Sequence, residues 1–87
     1  MIYTLIFREN WDRYFSKMDR MTQERIWKKI MQLKNEGSYR GLRYGVNLCV
    51  VEVGQHRICF SVDEKQKTKK IYFIGDHKEY EKWYMSF

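Results

Sequence analysis

The sequence predicts an α+β domain: a twisted, mainly antiparallel four-stranded sheet with a helical hairpin on one face and a short C-terminal helix, in the order β-α-α-β-β-β-α. Three observations carry this prediction. Apolar side chains recur at helical spacing from Trp11 to Leu33, with one break near Asp19. Two apolar stretches, Val46 to Val53 and His56 to Val62, flank a Gly54-Gln55 turn. A last apolar run, Ile71 to Gly75, leads directly into Asp76-x-x-Glu79, a helix-start signature.

Ile2 to Phe7 (IYTLIF) is almost wholly apolar, β-branched or aromatic, and reads as a first strand covered on both faces. Asn10 or Glu9 then begins a helix in which Trp11, Tyr14, Phe15 and Met18 recur at i, i+3, i+4 and i+7. An aromatic stripe at this spacing is core packing rather than a cofactor box. The pattern breaks from Asp19 to Thr22, where Asp19 or Thr22 caps a second helix. That helix aligns Ile26, Ile30 and Leu33, flanked by Trp27 and Met31, and places Lys28, Lys29 and Lys34 on the solvated face. Gly37 is its natural C-cap. Two antiparallel helices joined this tightly lie on one side of a sheet.

Ser38 to Gly45 (SYRGLRYG) is the irregular segment, with Arg40 and Arg43 beside Tyr39 and Tyr44. Guanidinium groups and rings interleaved in this way can hold phosphates and stack bases. Equally, the tyrosines can pin the loop to the sheet while the arginines stay solvated. In the hairpin that follows, His56, Ile58, Phe60 and Val62 share one face of their strand, and Arg57, Cys59 and Ser61 share the other. Ile58, Phe60 and Val62 must meet the helices, so Arg57 points away from them onto the open face of the sheet. Asp63 to Lys70 reads as a polar, lysine-rich connection. His77 falls in the first turn of the last helix, where unpaired N–H groups and the helix dipole favour anions, and Lys78 adjoins it. Tyr80, Trp83 and Tyr84 follow at helical spacing, and a helix this short leaves at least one of them partly exposed.

The chain has 87 residues, which suits one domain spanning 1–87. Its apolar content of 44% and aromatic content of 17% exclude a disordered chain despite 32% charged residues. No apolar run approaches the roughly 18 residues that a membrane span needs. The start, MIYTLIFREN, has neither a basic leader region nor a small-residue cleavage site, so a cytoplasmic protein is expected. The net charge of +6 favours polyanionic partners such as nucleic acid. Cys49 and Cys59, without a CxxC motif and with only two histidines in the chain, argue against a structural zinc site. A two-residue turn at Gly54-Gln55 sets Cys49 opposite Phe60 and the thiols on opposite faces. A three-residue loop from Val53 to Gln55 would set the cysteines opposite each other. Two buried thiols are the expectation.

The stretch V-G-x-H-R-I-x-F, from Val53 to Phe60, followed after a polar interval by I-x-F-I-G-D-H-K-x-Y, from Ile71 to Tyr80, resembles the RelE/ParE superfamily of toxins from toxin–antitoxin operons. The segment ENWDRYFSKMDRMTQERIWKKIMQL is similar to the helical hairpin of its YoeB and RelE branches. The resemblance covers nearly the whole chain, and the G-x-H-R-I strand coupled to the G-D-H-K-x-Y turn is its most specific part.

The resemblance implies a RelE-like fold and the toxin of a type II toxin–antitoxin system, wrapped and neutralised by a cognate acidic antitoxin. It further implies a ribosome-dependent, metal-independent mRNA endoribonuclease with no cofactor and no membrane partner. In that chemistry the RNA 2′-OH attacks the adjacent phosphate, a base removes its proton and arginines stabilise the developing charge. Arg57 matches the family's strand arginine, which contacts phosphate. His77 falls where family members carry a basic or histidine side chain, and a family tyrosine maps onto Tyr80, Trp83 or Tyr84. The implied catalytic set is therefore Arg57, His77, Tyr80 and Tyr84, with Arg40, Arg43 and Lys78 binding RNA phosphates. The chain departs from the family in two places. Val46 to Val53 carries Glu52 as its one charge where RelE has paired lysines, and YoeB's terminal R-x-H-Y is absent. The alternatives are a ParE-like toxin that binds a protein such as DNA gyrase without cleaving RNA, and an inactive relative or basic binding module.

Overall fold

The computed structural model describes residues 2–35, 40–41 and 48–85, with side chains for all of these except 40 and 41. Strand β1 (Thr4–Phe7) is followed by a 3-10 turn (Phe15–Lys17) and helix α1 (Arg20–Gln32). Strands β2 (Arg40–Gly41), β3 (Cys49–Val53), β4 (His56–Asp63) and β5 (Thr68–Asp76) come next, and helix α2 (His77–Met85) closes the described chain. The sheet order is β1-β5-β4-β3-β2. Strand β1 runs parallel to β5 and every other pairing is antiparallel. The sheet is thus the expected mainly antiparallel one, four principal strands with the two-residue β2 at one edge. No helix among the described residues is long and apolar enough to cross a membrane.

Helix α1 starts where its cap dictates. The Asp19 carboxylate accepts from the Thr22 backbone N–H at 3.2 Å and from the Thr22 hydroxyl at 2.6 Å. Its apolar stripe, Ile26 and Ile30 with Leu33 just beyond, packs on Ile58, Phe60, Ile71 and Ile74 of the sheet. Gly37 lies outside the described residues. Past the last helical turn, Lys69 satisfies two carbonyls: its Nζ donates to those of Leu33 at 2.7 Å and Asn35 at 2.9 Å.

Three local expectations are corrected. The Asp63 to Lys70 stretch is not all connection, because β5 begins at Thr68 and pairs with β1 from that residue on. Lys69, within that stretch, is 1% exposed and its ammonium sits 4.2 Å from the Tyr3 ring centroid. Strand β1 is an edge strand, not one covered on both faces, and Ile6 remains 42% exposed. The first arm of the helical hairpin is a succession of turns ending in the Phe15–Lys17 3-10 turn, which has no side-chain cap. Asn10, at φ 65°, sets the chain in the left-handed region ahead of it. Trp11, Phe15 and Met18 still pack on the α1 core, while Tyr14 turns to the opposite face of the sheet. Packing therefore follows the apolar spacing although the backbone is not a full helix.

A bulge divides β5 between two cores. Cys59 pairs with Phe73 and Phe60 pairs with Ile71, which leaves Tyr72 as the extra residue. Ile71 and Ile74 consequently both join the α1 core, and Tyr72 and Phe73 both pack on the α2 side. That side, expected to be open, carries a second core of Val50, Cys59, Phe73 and Tyr80, with Trp83 and Tyr84 against it. The turn between Val53 and His56 has two residues, Cys49 faces Phe60, and both thiols are free. Cys59 is buried and Cys49 half-buried.

Candidate functional site

The β3–β4 turn and the β5–α2 junction come together at one end of the sheet around a cleft of about 430 Å³. Glu52, His56 and Arg57 line it from the hairpin, and Asp76, His77 and Lys78 line it from the junction. The register explains the grouping, because Arg57 lies opposite Glu52 on β3 and opposite Gly75 on β5. Gly54, at φ 61°, occupies the first central position of the turn, where a side chain would be strained.

Gly75 serves a different purpose. A Cβ there would come within 2.5 Å of the Phe73 ring and 3.0 Å of Glu79 Oε1, so any side chain would force one of these groups to shift. The passage is fixed by a reciprocal cap. The Glu79 N–H donates to Asp76 Oδ1 at 2.8 Å, and the Asp76 N–H donates to Glu79 Oε1 at 2.8 Å. His77 and Lys78 are exposed in the first turn of α2, and His77 Nε2 lies 3.1 Å from Glu81 Oε1 one turn further on.

Arg57 is half-buried, and its guanidinium lies 4.7 Å from the centroid of the Tyr80 ring. Tyr80 is 8% exposed and stacks in turn on Tyr84, with centroids 5.8 Å apart and ring planes 20° from parallel. Among the described residues, neither tyrosine lines the cleft. Tyr80 backs Arg57, and Tyr84 forms the next layer. The structure thus brings Arg57, His77 and Lys78 to one cleft and sets Tyr80 and Tyr84 behind it. Arg40 enters the description through its backbone pairing with Val50 alone, and its side chain and all of Arg43 lie outside the described residues.

Glu52 is the cleft residue that sequence reasoning noticed only as a departure. Its signal was nevertheless present, since a two-residue turn at Gly54-Gln55 requires residue 52 to face residue 57. His56 was placed on the α1 side of β4; at the strand's end it borders the cleft and also a second hollow shared with Thr22 and Arg25 of α1. The cleft combines two cations with a helix start, which suits a phosphate. It also offers an imidazole and carboxylates, which suit proton transfer.

No protein-family model matches the sequence, and no curated protein matches it. Solved structures do. The RelBE2 toxin–antitoxin complex from Mycobacterium tuberculosis matches with a TM-score of 0.79 at 17% identity, over 88% of this chain and 100% of the other. The archaeal RelE–RelB complex from Pyrococcus horikoshii OT3 matches with a TM-score of 0.70 at 18% identity, over 87% and 96%. The isolated E. coli RelE toxin matches with a TM-score of 0.70 at 15% identity, over 98% and 99%. The chain has the RelE fold.

Proposed function

We propose that this protein is the toxin of a type II toxin–antitoxin system and acts as a ribosome-dependent mRNA endoribonuclease. The carrying observation is the convergence of Arg57, His77, Lys78 and Glu52 on one cleft at the sheet end. Its fold is that of solved RelE toxins, some of them in complex with RelB partners. In this reading the ribose 2′-oxygen forms a bond to the adjacent phosphorus as the bond to the 5′-oxygen breaks. One of His77 and Glu52 takes the 2′-OH proton and the other supplies a proton to the departing 5′-oxygen. Arg57 and Lys78 stabilise the negative charge that builds on the phosphoryl oxygens. Tyr80 holds Arg57 in place rather than touching RNA. The partners are a small acidic antitoxin and mRNA on the ribosome.

A translation assay with mapping of mRNA ends tests the proposal. Cleavage should appear with the wild-type chain and fall sharply in Arg57→Ala and in His77→Ala. Wild-type cleavage by both variants would sink this assignment of the site. Co-expression with the product of an adjoining gene for a small acidic protein should restore growth.

One observation favours a second reading. The β3 residue facing Arg57 is the carboxylate of Glu52, and β3 contributes no lysine to the cleft. A ParE-like protein that binds a partner such as DNA gyrase needs no cationic phosphoryl-transfer site. It would inhibit supercoiling and leave mRNA intact.

A further inference from the structure

The α2 side of the sheet carries a second cleft, of about 520 Å³, built from residues that the proposed reaction does not use. Arg8, at the end of β1, and Arg13 and Tyr14, from the turns after it, meet Tyr72 of β5 and Lys82 and Trp83 of α2. Each guanidinium lies over a ring: Arg8 is 5.4 Å from the centroid of Tyr72, and Arg13 is 5.5 Å from that of Tyr14. The Lys70 ammonium is 5.5 Å from the same Tyr72 ring. Among the described residues, neither Arg8 nor Arg13 is in an ion pair, and Glu9 is the single carboxylate lining the cleft. The β5 bulge is what makes the site, because strict alternation could not turn both Tyr72 and Phe73 to this face. Aromatic contacts run on from here to the first cleft: Tyr14 meets Phe73 edge-on at 5.7 Å, Phe73 meets Tyr80 at 6.2 Å, and Tyr80 carries Arg57.

Cations spread over ring faces, with little acid to neutralise them, fit a ligand that has both phosphates and flat bases. Half-buried rings that keep part of their surface open select unstacked bases, hence a single strand rather than a duplex. We propose that this second cleft binds single-stranded RNA, with phosphates on Arg8, Arg13 and Lys82 and a base against Tyr72 or Trp83. The inference rests on the RNA-binding half of the proposed function and is independent of cleavage. It places the part of the strand that lies away from the scissile phosphate.

The test is fluorescence anisotropy of the full chain with a short, labelled, 2′-O-methylated single-stranded RNA, which cannot be cleaved, over a range of salt. Arg8→Ala/Arg13→Ala should raise Kd about tenfold and make the salt slope shallower by about 1.4, roughly 0.7 for each lost phosphate contact. Tyr72→Leu, which keeps the charge, should raise Kd roughly fivefold through lost stacking. Lys28→Ala/Lys29→Ala, which removes equal charge from α1, should change Kd by less than about twofold, because its lysines are not part of the contact. Wild-type affinity and salt slope in the Arg8/Arg13 variant, an equal loss in the α1 control, or no binding by the wild type would each overturn the proposal. Binding through Arg8 and Arg13 by a chain that cleaves no mRNA would uphold the cleft and remove the nuclease reading.

Discussion

The Arg57 guanidinium lies 4.7 Å from the centroid of the Tyr80 ring, so a strand cation and a helix aromatic form one unit across the sheet–helix boundary. Tyr80 is itself held between Phe73, Trp83 and Tyr84, which makes the platform stiff. A ring that only supports Arg57 does not need its hydroxyl. Tyr80→Phe should therefore cleave mRNA within about twofold of wild type, and Tyr80→Leu should lose about tenfold with the cation–π contact. Arg57→Ala should lose on the order of a hundredfold or more. Single-turnover rates should show Arg57→Ala/Tyr80→Leu no slower than Arg57→Ala alone, since both changes act through the same group.

Gly75 tests the junction without replacing a charged residue. A methyl there must displace the Phe73 ring or the capping Glu79 side chain. Gly75→Ala should cost about 1–3 kcal/mol in urea unfolding, in line with other overpacked sites. An unchanged unfolding midpoint would show that the junction relaxes freely.

Lys69 is the buried cation on which the end of α1 depends. Lys69→Met preserves much of the volume but leaves the Leu33 and Asn35 carbonyls without its ammonium. A loss of about 1–3 kcal/mol is expected, chiefly from the buried Leu33 carbonyl. Hydrogen exchange should quicken at the C-terminal turn of α1 before it does elsewhere. Uniform quickening would argue against a local cap.

Cys59 should be chemically silent in the native protein. Burial pushes its thiol pKa up to about 12, against a smaller opposing pull from Arg57. The folded state therefore holds the proton more tightly than the unfolded state does. This contribution to stability is intact below the unfolded value of 9.0 and is lost as pH rises from there towards the folded one. Iodoacetamide at pH 8 should label Cys49, which is half-buried, well before Cys59. Prompt labelling of Cys59 would mean that α2 opens readily.

Much of this protein was legible in one dimension. The spacing of Ile26, Ile30 and Leu33 determined the inner face of α1, and the sequence narrowed its start to Asp19 or Thr22, of which Asp19 is the cap. Period-two alternation around Gly54-Gln55 set Arg57 on the face opposite Ile58 and Phe60, and Asp76-x-x-Glu79 determined the start of α2. These are local rules, satisfied by neighbours a few residues apart. Tertiary structure alone decided the rest. The bulge at Tyr72 reversed the alternation of β5, which no propensity announces, and that reversal created the second cleft. The parallel pairing of β1 with β5 converted Thr68 to Lys70 from connection to strand and drew Lys69 into the core. Tyr80 came to lie under Arg57 because α2 folds back over the sheet. Such relationships join residues far apart in the chain, so only the closed sheet could decide them.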